Sequence, residues 1–189
     1  RRVLFRSLRV GVLGHLRESK RVLPILRVMD RLWADGIDLR VVLQGAFGSR
    51  DLERAVAPWL GHSRVERHEF LSEPEFLDLA RSLDVCLNLR YPTACETSGI
   101  AITLMGLGKA VVFTDGPEIS RYPEGTCLRV PAGPEEEPAL HRLLSALDAN
   151  LCAEIGRRAA RHIHENHAPA ACAEAYWRIL RIVHLGGSQ

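Results

Sequence analysis

The chain has 189 residues, of which 47% are hydrophobic and 25% charged, a length and composition that suit the core of one domain. Its 25 basic and 23 acidic side chains leave a formal net charge of +2, which excludes the one-sided field of a nucleic-acid-binding protein. No apolar run approaches the roughly 20 residues needed to span a bilayer. Membrane contact is therefore expected, if at all, only through a part of the protein that this chain lacks.

The first seven residues, Arg1 to Ser7, directly precede the first apolar run of the chain. They match a translation of a common sequencing-adapter read, AGA CGT GTG CTC TTC CGA TCT. We hypothesise that residues 1–7 are a non-native leader and that residues 8–189 form the domain. A natural basic segment leading into the first strand is the alternative.

Short apolar runs alternate with amphipathic segments along the chain. Strands are predicted at 8–13, 39–43, 65–70, 85–89, 110–113 and 126–130. Helices are predicted at 21–34, 51–60, 72–81, 98–107, 139–147, 150–166 and 170–184. This alternation predicts an α/β fold with a doubly wound, Rossmann-like parallel sheet and helices on both faces.

The loop after the first strand combines a glycine with several basic side chains. Ligands of an open parallel sheet bind beyond the carboxyl ends of its strands. Gly14 lets the backbone come close to such a ligand, and Lys20, Arg17, Arg21 and His15 form a local positive cluster. This cluster matches a diphosphate. A solvated basic helix start is the alternative.

The loop after the fourth strand leads into a helix that opens with small residues. Ser98 and Gly99 leave the free amides of the first helical turn accessible to a phosphate. Glu96, just before them, is suited to accept hydrogen bonds from sugar hydroxyls or to brace the loop. The alternative is that Ser98 is only an N-cap and Glu96 only a solvated loop acid.

Other polar features of the sequence have simpler interpretations. The five cysteines are widely spaced and contain no C-x-x-C pair, which predicts reduced thiols in a cytoplasmic protein. No metal site is predicted at His162, His164 and His167, because residues i and i+2 point to different sides of a helix. The acidic triplet at 135–137 is interpreted as a solvated approach to a helix.

Three motifs occur in order: G-H-L-x-x-S-K at 14–20, E-T-S-G at 96–99 and L-G-K-A-V-V-F-T-D at 107–115. They resemble the G-R-L-x-x-x-K, E-x-F-G and A-x-G-x-P-V-V-x-T-D motifs in the C-terminal domain of group 1 (GT4-type) GT-B glycosyltransferases. The similarity runs from about residue 9 to residue 184, and the three motifs occur in the order that the family has. The resemblance implies the single C-terminal half of a GT-B fold, separated from its N-terminal acceptor domain.

The resemblance also implies a function and a set of site residues. The domain would bind a nucleoside-diphosphate sugar, and the complete enzyme would transfer the sugar with retention, without a metal or other cofactor. Lys20 would bind the diphosphate, and Glu96 would contact the sugar. The first helical turn would hold the phosphate through its amides, and the Gly45 to Gly48 turn and segment 65–70 would flank the base. The implied donor-binding set is Gly14, His15, Lys20, Gly45, Glu96, Thr97, Ser98, Gly99, Ile100 and Thr103, with Lys20 and Glu96 as catalytic residues.

The sequence departs from the family at the second acid of its E-x7-E motif, which usually takes the ribose hydroxyls. Counting from Glu96 puts Leu104 at that position, and a register set from Gly108 puts Thr103 there. Neither residue is a carboxylate, so the mode of ribose recognition and the identity of the donor base stay open.

Three other functions are compatible with the sequence. The lost acid would suit a non-catalytic nucleotide-sugar-binding module. A GT-B-fold nucleotide-sugar epimerase would need catalytic acids that the sequence does not locate. A dinucleotide-binding Rossmann domain is disfavoured, because G-x-G-x-x-G does not follow Leu13. If the group 1 resemblance holds, part of the apolar stripe of the last helix, which includes Tyr176 and Trp177, is expected to lie exposed.

Overall fold

The computed structural model describes residues 7–186, with side chains up to residue 182. The leader hypothesised for residues 1–7 therefore lies, apart from Ser7, outside the described residues.

Residues 7–186 form six strands and seven α-helices, in the predicted order. The strands are β1 (Leu8–Leu13), β2 (Leu39–Gln44), β3 (Val65–His68), β4 (Val85–Asn88), β5 (Ala110–Thr114) and β6 (Leu128–Val130). The helices are α1 (Val22–Ala34), α2 (Arg50–Leu60), α3 (Glu73–Ser82), α4 (Gly99–Gly106), α5 (Glu136–Ala146), α6 (Ala149–Asn166) and α7 (Pro169–Gly186). Every predicted element is confirmed in type, and its ends differ from the prediction by no more than three residues.

The strands form one parallel sheet in the order β3-β2-β1-β4-β5-β6. At the centre of the sheet, Val10 of β1 pairs with Val41 on one side and Val85 on the other. The chain moves outward from β1 to β3, and then outward in the opposite direction from β4 to β6. This reversal makes the crevice beyond the carboxyl ends of β1 and β4 the position where open α/β sheets bind ligands.

Helices cover both faces of the sheet, which confirms the doubly wound prediction. α1, α2 and α5 pack with the sheet into one buried cluster, and α3 and α4 contribute to a second one on the other face. α6 joins the two clusters, because Ile155 belongs to the first and Ile163 to the second. The inner strands β4 and β5 are buried along their whole length, as expected for a sheet that is covered on both faces. The edge strand β3 is only partly buried.

The last helix, α7, leaves most of its apolar side chains in solvent. Tyr176 is 73% exposed, Trp177 59% and Leu180 58%. The predicted exposure of this stripe is confirmed.

The interpretation of the acidic triplet at 135–137 as a solvated segment is wrong. Glu136 is only 1% exposed and accepts a 2.7 Å hydrogen bond from Nε of Arg21. Glu137 pairs with Arg27 and Arg31 on the exposed side of the same contact. The reason is tertiary, because α5 packs against α1 and the acids of one helix meet the arginines of the other across more than 100 residues of sequence.

We expect Arg21→Met to lower the free energy of unfolding by about 2 kcal/mol, because it leaves the buried Glu136 carboxylate without its cation. This figure is below the full cost of breaking a buried ion pair, since the Arg21 side chain is 26% exposed. Urea denaturation would measure the loss. The control is Arg54→Met, which removes the partner of the exposed Asp51 and should change stability by less than about 0.5 kcal/mol. Equal losses in both variants would contradict the assigned role of Glu136.

Candidate functional site

Three loops meet at the carboxyl end of the sheet. The loop after β1 is joined to the loop after β2 by hydrogen bonds from Leu16 N to Ala46 O (2.8 Å) and from Gly48 N to Leu16 O (2.7 Å). It is joined to the loop after β4 by a bond from Tyr91 N to Ser19 O (2.8 Å). The crevice between β1 and β4 is therefore bordered by backbone from both halves of the sheet.

Two glycines allow these loops to approach one another. Gly14 has a φ of 87°, and a Cβ added there would lie 2.1 Å from Cδ1 of Ile100 and 3.0 Å from Nζ of Lys20. Gly45 has a φ of 117°, and its Cβ would lie 2.2 Å from the carbonyl oxygen of Gly14. Lys20, Ile100 and Gly45 thus surround Gly14, so the structure brings together four residues of the predicted site.

Gln44, which the sequence analysis did not single out, fixes the relative positions of these loops. Its side chain is buried, its Oε1 accepts a hydrogen bond from Gly14 N (3.1 Å), and its Nε2 donates to Glu69 O (3.1 Å). One amide thus links the ends of β1 and β2 to the segment after β3. A polar residue at the end of the apolar run Val41 to Leu43 was the signal available in the sequence.

Lys20 is a buried cation at the end of β1. It is 5% exposed, and its ammonium group donates to the carbonyl of Leu13. Burial, together with the nearby positive charges of Arg90 and Arg17, lowers the pKa of Lys20 to about 8. The charged ammonium is therefore disfavoured in this structure, and an anion bound beside it would stabilise it.

The first turn of α4 borders the same crevice. Ser98 is its N-cap, and the Ser98 hydroxyl accepts a hydrogen bond from Ala101 N (3.3 Å) and donates to Oδ1 of Asn88 (3.2 Å). The amides of Gly99 and Ile100 come before that bonded position and, as in any helix, have no carbonyl partner within the helix. An added Cβ on Gly99 would meet nothing within 4 Å, so the space above this turn is open.

Arg90, the second residue after β4, lies between Lys20 and the start of α4, and the sequence analysis missed it. Its side chain is 18% exposed, ion-paired with Glu96 and hydrogen-bonded through Nη2 to Ser98 Oγ (3.2 Å). Its Nε is buried without a hydrogen-bond partner among the described residues. The only hint in the sequence was a basic residue just beyond the carboxyl end of a buried strand.

The structure supports one of the two roles considered for Glu96. Its carboxylate braces the loop through Arg90, while its side chain stays 52% exposed. Thr97 is exposed beside it, and both residues line a narrow pocket beside the start of α4. The contact of Glu96 with a sugar stays a prediction.

The remaining predicted residues lie at the periphery. His15 is exposed, and its Nε2 would lie 3.2 Å from a Cβ on Gly48. Thr103 is exposed one turn into α4, where its hydroxyl donates to Gly99 O (3.1 Å). Leu104 is buried in the core, so of the two candidate registers for the lost acid only the one with Thr103 gives an accessible side chain.

Arg21 departs from the expected positive cluster, and Arg67 makes contacts that the sequence analysis did not predict. Arg21 was placed in it, but its guanidinium lies against Glu136 and over the ring of Tyr91, 5.7 Å from the ring centroid. Arg67, in the segment expected to flank a base, donates to Gly45 O (2.6 Å) and stacks on Phe47 (4.8 Å to the ring centroid). The cations facing the crevice are therefore Lys20 and Arg90, with Arg17 at the rim.

Beside the start of α4, a narrow pocket runs between the loops after β4 and β5. Arg90, Glu96, Ser98 and Glu118 line it. Through Thr97, Glu118 and Tyr122 it adjoins a wider pocket of about 320 Å³. That volume is at the lower end of the range typical of small-molecule sites, about 300–1,000 Å³.

Within the part of the chain that the structure describes, no group of three or more His, Cys, Asp and Glu side chains is placed to hold a metal ion. His162 and His167 pack instead around Tyr122, with ring centroids 5.7 and 6.1 Å from its own. The five cysteines are free thiols. No helix formed by residues 7–186 is both long and apolar enough to cross a membrane.

No family model and no curated protein matches this chain, but solved structures do. The C-terminal domain of a glycosyl transferase group 1 family protein (LpcC) from Francisella tularensis has a TM-score of 0.70 at 18% identity, over 87% of this chain and 89% of that domain. Sucrose-phosphate synthase from Thermosynechococcus elongatus has a TM-score of 0.74 at 16% identity, over 95% of this chain and 46% of the synthase. Anabaena HepE in complex with UDP-glucose has a TM-score of 0.74 at 16% identity, over 93% of this chain and 49% of HepE.

These structural similarities are similarities of fold. The chain has the architecture of the C-terminal domain of a group 1 glycosyltransferase, which confirms the expected half of a GT-B fold. It spans about half the length of the synthase and of HepE.

Proposed function

We propose that this chain is the donor-binding half of a retaining glycosyltransferase. It binds a nucleoside-diphosphate sugar in the crevice between β1 and β4, and the acceptor is bound by a domain that this chain does not include. The observation that carries the proposal is the buried ammonium of Lys20 beside the open first turn of α4, with Arg90 between them.

The charges of the crevice favour a diphosphate. Lys20 and Arg90 carry two positive charges close together, and Glu96 neutralises only one of them. Burying a cation without a counter-ion is costly, so the crevice is stabilised when an anion fills it. The amides of Gly99 and Ile100, at the positive end of the α4 dipole, are suited to hold phosphate oxygens.

The same groups are suited to stabilise the leaving group. When the bond between the sugar C1 and the diphosphate oxygen breaks, the electron pair stays on the diphosphate, where negative charge increases. Cations and amides already held in place stabilise that charge most strongly at the transition state. Lys20 and the first turn of α4 are our candidates for this role, and Glu96 is our candidate for contact with the sugar.

The similar structures support the ligand class. Anabaena HepE is described in complex with UDP-glucose, and the chain matches about half of it. Gly45 and Gly48, which lie beside Arg67 and Phe47, are our candidates to flank a base or ribose at the other end of the crevice. Since Thr103 stands in place of the second acid of E-x7-E, the ribose would meet a hydroxyl there instead of a carboxylate.

Calorimetry on the 189-residue chain tests the proposal. We expect saturable binding of at least one of UDP-glucose, GDP-mannose and ADP-glucose, and no binding of NAD. Arg90→Leu should weaken binding of the corresponding nucleoside diphosphate at least about tenfold, since it removes a charged hydrogen-bond donor. Arg142→Leu, on exposed surface elsewhere, is the control and should leave affinity unchanged. Binding of NAD alone, or of none of the four compounds, would overturn the proposal.

A further inference from the structure

Two side chains that line the narrow pocket beside α4 each carry a buried polar atom without a partner among the described residues. Arg90 Nε and Glu118 Oε2 are both buried, and neither has a hydrogen-bond partner among the described residues. Both side chains line the same pocket. A buried polar atom left unpaired is unfavourable, and native proteins seldom tolerate one without a reason. One N–H donor and one carboxylate acceptor, on two side chains that line the same pocket, thus lack hydrogen-bond partners.

The local structure holds the Glu118 carboxylate in this position. Thr93 Oγ1 donates to Glu118 Oε1 (2.7 Å) and itself accepts from Cys95 N (3.0 Å), so one carboxylate oxygen is anchored to the loop after β4. The other oxygen lies over Gly116, where an added Cβ would be only 2.9 Å away. The glycine therefore makes room for the carboxylate.

The chemistry of the two atoms specifies the missing group. A phosphate could accept a hydrogen bond from Arg90 but would be repelled by Glu118. An ammonium group could donate to Glu118 but would be repelled by Arg90. A hydroxyl can donate to Glu118 Oε2 and accept from Arg90 Nε. The pocket adjoins Ser98, at the turn where the diphosphate is proposed to bind, and opens through Thr97 toward the wider pocket. A hydroxyl-bearing group attached to the diphosphate would enter here.

We propose that Glu118 binds a hydroxyl of the donor sugar and, with Arg90, selects a donor whose sugar presents a hydroxyl at this point. This inference rests on the proposed function. It differs from the role considered for Glu96, whose half-exposed carboxylate is already neutralised by Arg90. Glu118 is the pocket-lining acid that has both an anchored carboxylate and an unpaired oxygen.

Glu118→Gln isolates this contact. Thr93 is expected to keep the amide oxygen on its own side, which turns the NH₂ group toward the pocket and replaces the acceptor by a donor. Calorimetry would compare UDP with UDP-glucose, GDP with GDP-mannose and ADP with ADP-glucose. For the pair that the chain binds, we expect Glu118→Gln to lower the affinity for the sugar nucleotide by about 10-fold or more. The affinity for the bare diphosphate should change less than about twofold.

Two further variants complete the test. Glu124→Gln changes an exposed acid of the same loop and should alter neither affinity. Thr93→Val keeps the shape of the threonine but removes the anchor of Glu118. It should lower only the affinity for the sugar nucleotide, by about threefold or more. If Glu118→Gln lowered the affinity for both ligands equally, or changed neither affinity, this inference would be overturned and the proposed function left intact. Failure of the unmodified chain to bind any of the three diphosphates would overturn the proposed function as well.

Discussion

Lys20→Met is expected to weaken binding of the nucleoside diphosphate by about 100-fold or more. The substitution removes the buried ammonium group from the crevice, and a desolvated, preorganised cation facing an anion is worth that order of effect. In the complete enzyme the corresponding loss should appear in turnover, by about 10²–10³ if the cation also stabilises the departing diphosphate. Calorimetric titration of the chain with UDP, GDP and ADP measures the binding effect directly.

The fold should survive this change. Methionine fills a similar volume without the charge whose burial depresses the pKa of Lys20, so stability at pH 7 should be unchanged or slightly higher. The matched control is Lys109→Met at the other lysine of the chain, whose ammonium donates to the carbonyls of Arg81 and Leu83 at the amino end of the sheet. Lys109→Met should leave diphosphate affinity unchanged. Comparable losses of affinity in both variants would contradict the proposal that Lys20 binds the diphosphate.

The pH dependence of binding gives a second measurement of the same group. With a pKa of about 8 in the free chain, Lys20 is about half protonated at pH 8. A bound diphosphate favours the ammonium and raises that pKa, so binding at pH 8 should take up a proton, and affinity should fall as pH rises above 8. Titrations in buffers of different ionisation enthalpy would detect the uptake. Both effects should disappear in Lys20→Met, and their persistence there would assign them to another group.

The fold followed from local patterns because each pattern has a local physical cause. Runs such as Ala110 to Phe113 are apolar on both sides because their sheet is covered on both faces, and Ser72 with Glu75 forms the capping box that its spacing predicts. The strand order is long-range information and did not follow from these patterns. The solvation of residues 135–137 was misjudged for the same reason, since only the packing of α5 on α1 buries Glu136.

The candidate site was predictable only where glycine and helix capping mark it. Gly14, Gly45 and Ser98 left visible signals, because positive φ angles and a helix N-cap restrict the residue type. Arg90 left only the hint of its place just beyond β4, and Glu118 left none, because a single charged residue in a loop is common on any protein surface. Only the structure shows that these two side chains line one pocket and that each carries an unpaired atom. The roles of all five in binding stay predictions.

The largest expected effect on stability is that of Gly156→Ala, which should lower the free energy of unfolding by at least about 3 kcal/mol. Gly156 lies in α6, where an added Cβ would be 1.8 Å from the carbonyl oxygen and 2.6 Å from the carbonyl carbon of Gly108. Overpacking against flexible side chains costs about 1–3 kcal/mol, because those side chains can rotate away. Backbone cannot, so this clash should lie at or beyond the top of that range.

The clash also reaches the candidate site, because Gly108 lies in the turn between α4 and β5. If α6 moves outward to relieve the contact, Ala159 and Ile163 separate from the residues of α4 and β5 on which they pack, and α4 loses part of its support. Urea denaturation would measure the loss, with Gly61→Ala as the control. Gly61 has a φ of −91° and no atom within 4 Å of an added Cβ, so that variant should be neutral or slightly more stable. A loss below about 1 kcal/mol for Gly156→Ala would mean that α6 shifts freely over this turn, and α4 would then have to be held in place by the sheet alone.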